Sequence, residues 1–206
     1  MAERAHPDLI GYKKKFRIRW NNSLLPTFEF FSSPYRRFFY WRYAWANRFC
    51  RGKKVLEIPC GMGWGTTLLT RARSVVGVDI SAEAVAEART RYAKNNREFI
   101  VGSLQELDFK KETFEIVVCL EGIEHVGRDV GKCFIVEAHR VLKPGGLLLL
   151  SSPRHATREH SGNPYHIFEY KLRELIEIIE PYFIIRSVQM KEVDDLFVHY
   201  IEAVKR

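Results

Sequence analysis

The chain has 206 residues, of which 46% are hydrophobic, and this suits one domain with a full core, alone or with an extension. No apolar run approaches the roughly 20 residues of a membrane span, and the charged start of the sequence has no apolar signal core. These features argue against a transmembrane or exported protein and predict a cytoplasmic one. The formal net charge of +8 is concentrated at one end of the chain.

Residues 1–54 contain 13 Lys and Arg against 3 Asp and Glu, whereas the rest of the chain contains 20 against 22. We therefore predict a basic N-terminal extension over residues 1–34 and a separate domain over residues 35–206. The basic segment is also rich in aromatic residues, so it could contact phosphate, nucleic acid or a membrane surface. The alternative is a helix that packs on the domain with solvated arginines outside. Four aromatic residues are candidates for a lid that contacts substrate: Tyr12, Trp41, Tyr43 and Trp45.

Strands and helices alternate along the remainder of the chain. The predicted helices cover residues 35–50, 64–72, 82–94, 130–142 and 172–179, and the predicted strands cover 53–58, 74–79, 98–101, 114–120, 147–151, 183–189 and 196–204. This alternation predicts an α/β fold, a Rossmann-like doubly wound seven-stranded sheet with helices on both faces. The sheet is expected to be mostly parallel, with a C-terminal antiparallel hairpin.

A glycine-rich turn follows the first strand of this domain. Residues 55–66 read VLEIPCGMGWGT, and a second apolar run ends at Asp79. Glycines at 61, 63 and 65 allow backbone to approach a ligand closely, and an acid at the end of the second strand can accept hydrogen bonds from a ribose diol. The pair predicts an adenosine-containing cofactor.

The spacing of the turn argues against a nicotinamide cofactor. Counting from Gly61, the third glycine of the dinucleotide fingerprint is replaced by Thr66. An acid, Glu57, also lies at the end of the first strand, where a cofactor with an amino group has use for it. With Asp79 and the Lys-Pro-Gly-Gly turn at 143–146, the pattern is specific.

Over residues 35–206 the chain resembles class I S-adenosylmethionine-dependent methyltransferases. Residues 57–63 resemble the family's first motif, 75–79 its second, and 114–121 its fourth-strand motif. The resemblance implies that the glycine turn faces the methionine part of the donor, that Asp79 holds the ribose and that the residues after the third strand flank the adenine. The implied cofactor-binding residues are Glu57, Pro59, Cys60, Gly61, Gly63, Trp64, Asp79, Ile80, Ser103, Leu104, Leu120 and Glu121.

Two positions depart from the family pattern. Pro59 stands where glycine is usual, so the entry to the turn is stiffer and offers no N–H. Ser103 stands where an acid usually accepts from the adenine amino group, a weaker acceptor for the same bond. The four cysteines have no paired spacing and are interpreted as reduced packing residues: Cys50, Cys60, Cys119 and Cys133.

The candidate catalytic residues follow the fourth and fifth strands. Glu121, Glu124 and His125 would share one face of a helical turn, and His166 follows 41 residues later. These four resemble the metal site of small-RNA 3′-terminal 2′-O-methyltransferases, and they could bind Mg²⁺, Mn²⁺ or Zn²⁺. The alternatives are that His125 is a lone base, with Glu124 and His166 in support, or that these residues only shape the loop.

A cationic, histidine-rich loop over residues 151–166 could bind a phosphorylated or carboxylated substrate, and it loosely resembles methyltransferases found beside polysaccharide-synthesis enzymes. We therefore predict a methyltransferase that acts on oxygen of a small or carbohydrate-like acceptor. Two alternatives stay open: an RNA 2′-O-methyltransferase that uses the basic extension, and a cofactor-binding regulatory module without catalysis.

Overall fold

The computed structural model describes residues 14–20, 23–28, 34–155, 157–193 and 196–206. The described helices are α1 (Pro34–Asn47), α2 (Ala82–Tyr92), α3 (Arg128–Val141) and α4 (Leu172–Ile179), with short 3₁₀ helices at Gly65–Leu68 and Ile123–His125. The strands are β1 (Lys14–Trp20), β2 (Ser23–Phe28), β3 (Lys54–Glu57), β4 (Ser74–Asp79), β5 (Arg97–Val101), β6 (Phe114–Leu120), β7 (Leu142–His155), β8 (Phe183–Val193) and β9 (Leu196–Lys205).

Seven of these strands form one sheet in the order β5-β4-β3-β6-β7-β9-β8. Strands β3 to β7 pair in parallel, while β9 runs antiparallel to both β7 and β8. The predicted Rossmann-like fold with a C-terminal antiparallel hairpin is therefore confirmed. The carboxyl ends of β3, β4 and β6 meet at one edge of the sheet, which is where open α/β sheets bind ligands.

The central strands are buried on both faces, as their continuous apolar runs predict. On one face α3 and α4 pack on the sheet through Phe134, Ile135 and Leu175. On the other face α1 contributes Phe39, Tyr43 and Trp45 to a second core. Helix α1 is therefore a part of the domain's core, in agreement with the reading of the basic segment as a helix packed on the sheet.

The structure differs from the prediction at several places. Strand β7 begins at Leu142, so residues 143–146, which were predicted as a turn before it, lie within the bounds of the strand. The predicted helix over 64–72 is only a 3₁₀ turn at Gly65–Leu68, since the segment contains a glycine and three threonines that disfavour an α-helix. Cys133 is exposed on α3 and does not pack in the core, whereas Cys50, Cys60 and Cys119 are buried free thiols. Arg42 is buried and not solvated.

Strands β1 and β2 pair with each other as a two-stranded sheet inside the predicted extension. The boundary between residues 34 and 35 stays a prediction, although α1 begins at Pro34. Among the described residues, no helix is long and apolar enough to cross a membrane.

Candidate functional site

The glycine turn between β3 and the first 3₁₀ helix has a backbone conformation that residues with a Cβ rarely adopt. Gly61 has φ +53° and Gly63 has φ +78°. A Cβ on Gly63 would lie 2.7 Å from atoms of Ala88 and Phe99, whereas open space surrounds the same position on Gly61. The turn at Gly63 therefore packs against α2 and β5, and Gly61 borders room for a ligand.

Asp79 anchors this turn at the end of β4. Its Oδ2 accepts a 2.8 Å hydrogen bond from the Gly61 amide, and its Oδ1 accepts a 2.9 Å bond from the Ser81 amide. An ionised carboxylate has about four acceptor sites, so capacity remains for further donors. The next residue, Ile80, is 73% exposed, so an apolar side chain faces solvent directly beside the carboxylate.

Ser103 and Leu104 lie in the loop that follows β5, close to Asp79. The Gly102 amide donates to the Asp79 carbonyl oxygen at 3.0 Å, which holds the start of this loop against β4. Leu104 is buried, and the Ser103 hydroxyl accepts a bond from the Gln105 amide. The two residues that were predicted to flank the adenine thus lie on the same side of the turn as Asp79.

Glu57 lies at the end of β3 and is only 1% exposed. Its Oε1 accepts a 2.7 Å hydrogen bond from the Tyr43 hydroxyl of α1. Burial raises the pKa of Glu57 to about 7, against the lowering effect of the Thr66 and Tyr43 hydroxyls and the Arg42 charge. Glu57 is therefore a buried acid that can gain or lose its proton near neutral pH.

The buried Arg42 and the half-buried Glu121 form a pair at the end of β6. Arg42 Nη1 is 4.0 Å from Glu121 Oε2, and Glu121 Oε1 accepts a 2.7 Å hydrogen bond from the Ser151 hydroxyl. The Arg42 guanidinium also lies over Phe39, with 4.1 Å between Cζ and the ring centroid. Glu121 has φ +52°, so the backbone turns sharply after β6.

Glu124, His125 and His166 come together at the neighbouring strand end. One ligand atom from each lies within 4.8 Å of the others. Glu124 is fully buried, its Oε2 accepts a 3.3 Å bond from the Ser152 hydroxyl, and its Oε1 has no partner among the described residues. Burial raises the pKa of Glu124 well above its usual range, and the charge of Glu121 adds to this effect.

The two histidines of this cluster are held differently. His125 Nδ1 lies 3.0 Å from the Tyr165 carbonyl oxygen, which favours the tautomer with the proton on Nδ1. His166 Nδ1 lies 2.6 Å from Oε1 of Glu169, while its Nε2 lies 3.1 Å from the Asn163 amide nitrogen. Although burial opposes it, hydrogen bonds from Ser161 and His166 hold the pKa of Glu169 below its ordinary value.

The structure thus brings together three of the four predicted metal ligands, while Glu121 bonds to Ser151 outside this group of three. Asn163, Glu169 and Ser151 were given no individual role from the sequence, although Ser151 and Asn163 lie in the predicted substrate loop over residues 151–166. Pro59 packs against Gly122, where a Cβ would come within 2.1 Å of the proline ring. The remaining predicted cofactor residues, Cys60 and Leu120, are buried at the strand ends.

The predicted aromatic lid is not formed by α1. Tyr43 and Trp45 are 5% and 2% exposed and belong to the core beneath the sheet edge. Trp41 packs its ring edge-on against Tyr200, with centroids 4.8 Å apart, and Trp64 packs against Phe39. Tyr12 lies outside the described residues.

Comparisons with known proteins agree with this geometry. Residues 55–146 match a family model described as a methyltransferase domain. A probable S-adenosylmethionine-dependent methyltransferase of Mycolicibacterium smegmatis is 37% identical over 136 residues, which are 64% of this chain and 51% of that protein. A ubiquinone biosynthesis O-methyltransferase of a Bradyrhizobium species is 38% identical over 104 residues, 49% of this chain and 40% of that protein. The chain spans about half, or less, of the length of these relatives.

The fold also matches solved structures. The PH0226 protein of Pyrococcus horikoshii superimposes with a TM-score of 0.69 at 22% identity, covering 84% of this chain and 91% of that one. At this identity the match speaks for the fold alone.

Proposed function

We infer from these matches that this chain belongs to the class I S-adenosylmethionine-dependent methyltransferases. On this premise, we propose that it methylates an oxygen atom of a small-molecule acceptor. When bound, S-adenosylmethionine supplies an electrophilic methyl group on a sulfonium. The protein then has to align the acceptor, exclude water and accept a proton.

The residues at the sheet edge fit this donor. Gly61 borders open space, Asp79 keeps acceptor capacity for a ribose diol, and the exposed Ile80 offers an apolar face beside it. At the other side of the turn, Glu57 provides an acid for an amino group. An adenosine with an amino-acid tail matches this sequence of apolar, diol-binding and acidic positions.

His125 is the proposed base, and the observation that supports this proposal is the tautomer that its hydrogen bond favours. The Tyr165 carbonyl engages Nδ1, so the lone pair resides on Nε2, for which the described residues provide no donor. In His166, by contrast, Glu169 engages Nδ1 and the Asn163 amide faces Nε2. His166 therefore positions the site, and His125 is the histidine that can take a proton from an acceptor hydroxyl.

The rim of the site supports an acceptor with an apolar or ring-shaped part. Tyr165 and Ile167 flank His166 and are 40% and 65% exposed. Either an aromatic acceptor or the apolar face of a sugar could lie on them. The related ubiquinone biosynthesis enzyme is likewise an O-methyltransferase.

A methyl-transfer screen with labelled donor tests this function. Phenols, small acids, sugars and short RNAs would be offered as acceptors, with the wild-type protein and His125→Ala side by side. We expect turnover with a small hydroxylated acceptor, at least about 100-fold less turnover in the variant, and unchanged donor binding. Turnover that survives in His125→Ala would contradict the base assignment, and failure to bind the donor would contradict the function.

A second candidate, a metal-assisted O-methyltransferase, is supported by the fully buried Glu124 carboxylate beside two imidazoles. Glu124, His125 and His166 would hold the ion, which would lower the pKa of an acceptor hydroxyl. The Glu169 carboxylate behind His166 is also typical of a metal-bound histidine. The Asn163 amide at His166 Nε2 would have to move aside. Isothermal titration of Mn²⁺ into wild type and Glu124→Gln decides: saturable binding that the variant loses supports the metal.

A further inference from the structure

We propose that Arg42 is the receptor for the α-carboxylate of the methyl donor, an assignment that rests on the proposed function. Arg42 lies on α1, before the stretch of residues 55–146 that matches the methyltransferase family model. The helix nonetheless carries this side chain to the carboxyl ends of the central strands.

The Arg42 guanidinium is buried with few hydrogen-bond partners among the described residues. Only 7% of the residue is exposed, and Nε has no hydrogen-bond partner among the described residues. Its ion pair with Glu121 spans 4.0 Å, which is longer than a hydrogen bond. A buried cation in this state is costly unless something supplies acceptors. The stacking on Phe39 fixes the plane of the guanidinium without providing any acceptor.

Arg42 lies close to three acidic residues at the sheet edge, namely Glu57, Glu121 and Glu124. Burial raises the pKa of both Glu57 and Glu124, and the charge of Arg42 opposes this rise in each, so Arg42 lies within electrostatic range of both. Glu57 ends β3 and Glu121 follows β6, and these two strands are neighbours in the sheet. Arg42 therefore lies over the gap between two strand ends at the ligand-binding edge of the sheet.

A ligand that satisfies this group must carry both charges. A carboxylate matches the planar guanidinium with paired hydrogen bonds, while an adjacent ammonium can bond to Glu57 or Glu121. The amino-acid end of the donor has both groups on one carbon atom. An anionic acceptor would supply only the carboxylate or phosphate and would offer no donor to Glu57 Oε2, which has no hydrogen-bond partner among the described residues.

Calorimetry with three ligands tests the assignment. The probes are S-adenosylhomocysteine, decarboxylated S-adenosylmethionine, which lacks only the carboxylate of the donor, and 5′-methylthioadenosine, which lacks the carboxylate and the amino group. The variants are Arg42→Gln, Arg42→Lys, and the control Arg48→Gln, which removes the same charge from an exposed position just after α1.

We expect Arg42→Gln to weaken S-adenosylhomocysteine about 10- to 100-fold, as the loss of a charge-assisted hydrogen bond would, with Arg42→Lys in between. The two ligands without a carboxylate should bind wild type and Arg42→Gln equally, and Arg48→Gln should change nothing. Equal weakening of all three ligands would overturn the proposal in favour of a structural role.

Unchanged S-adenosylhomocysteine affinity with a raised acceptor KM would assign Arg42 to an anionic acceptor instead and would also overturn the proposal. If wild type bound no adenosine ligand at all, the proposed function itself would fail, and this outcome is distinct from a failure of Arg42 alone.

Discussion

Individual side chains at the sheet edge differ in how much of their bonding capacity the protein itself uses. Asp79 accepts hydrogen bonds from two backbone amides, and Glu57 accepts one from a tyrosine hydroxyl. Among the described residues, the carboxylate that pairs with Arg42 is 4.0 Å away. Asp79 is a structural anchor with spare acceptor sites, and Glu57 and Arg42 are buried ionisable groups that each have an atom without a hydrogen-bond partner among the described residues. Substitutions at these positions therefore have different consequences.

Replacing Asp79 by alanine should weaken binding of S-adenosylhomocysteine by about 1–3 kcal/mol, because donors at the ribose and at the Gly61 amide lose their acceptor. Calorimetry measures the change. Asp129→Ala serves as the control, since that side chain is 95% exposed on α3. Equal affinity in wild type and Asp79→Ala would remove the ribose assignment.

Glu57 should make the stability of the protein depend on pH. Its pKa rises from 4.5 to about 7 on burial, so the folded state holds the proton more tightly than the unfolded state. The contribution of this group is fully present below pH 4.5 and is lost as the pH rises through about 7. Denaturant unfolding at pH 5 and pH 8 should show this loss in wild type.

Glu57→Gln is the matched variant, because its carbonyl oxygen can still accept from Tyr43 and it does not titrate. The fall in free energy of unfolding between the two pH values should be smaller in the variant than in wild type. Identical falls would show that Glu57 is not the group responsible.

At the scale of elements, period and composition predicted the strands well and the connections less well. The apolar run of β6 is buried on both faces, and the run ending at Asp79 forms β4 with the predicted bounds. The helix expected after the glycine turn is only a 3₁₀ turn, because its glycine and threonines disfavour an α-helix. Gly65 also packs under the Tyr43 hydroxyl, where a Cβ would lie 2.0 Å away. Such a contact with a distant helix leaves no local signal.

The glycine turn allows a paired test of conformation and space. Gly61 and Gly63 both have positive φ, but only Gly63 is crowded. Gly63→Ala should lower the free energy of unfolding by about 1–3 kcal/mol more than Gly61→Ala, since only the former forces Ala88 and Phe99 apart. Equal losses in thermal or denaturant unfolding would mean that α2 and β5 relax freely around the turn.

The cluster of Glu124, His125 and His166 was also predicted only in part, because contacts between distant segments shape it. The spacing of Glu124 and His125 places them on one turn, and His166 lies beside them, as predicted. Glu121 leaves the group because its φ of +52° turns the backbone and Ser151 holds its carboxylate. Neither feature can be read from the spacing of acids and histidines.

At the scale of the whole molecule, the domain is larger than the stretch that matches the methyltransferase family. Helix α1 precedes residue 55, yet Phe39, Trp45 and Ala46 are buried in one of the two cores. The sequence did not single out Arg42 as a site residue, because it lies in a segment with many other Lys and Arg residues. Its position three residues after Phe39 and four before Ala46 places it on the buried stripe of the helix.

A chain shortened to residues 54–206 should therefore lose cooperative unfolding, because an apolar face of the sheet loses its cover. A chain of residues 34–206, which keeps α1, is the control and should retain a single cooperative transition. Circular dichroism during heating measures both. A cooperative transition in the shorter chain would show that α1 is dispensable for folding.

The hydrogen bond from Tyr43 to Glu57 joins α1 to the strand that leads into the glycine turn. A ligand that contacts both α1 and the glycine turn would have to dissociate before α1 could open, so the two equilibria would be linked thermodynamically. Backbone amides of α1 should then exchange with deuterium more slowly in the presence of S-adenosylhomocysteine, while those of the remote α4 keep their rate. The helix would thus report occupancy of a pocket whose recognised motifs all lie after it in the chain.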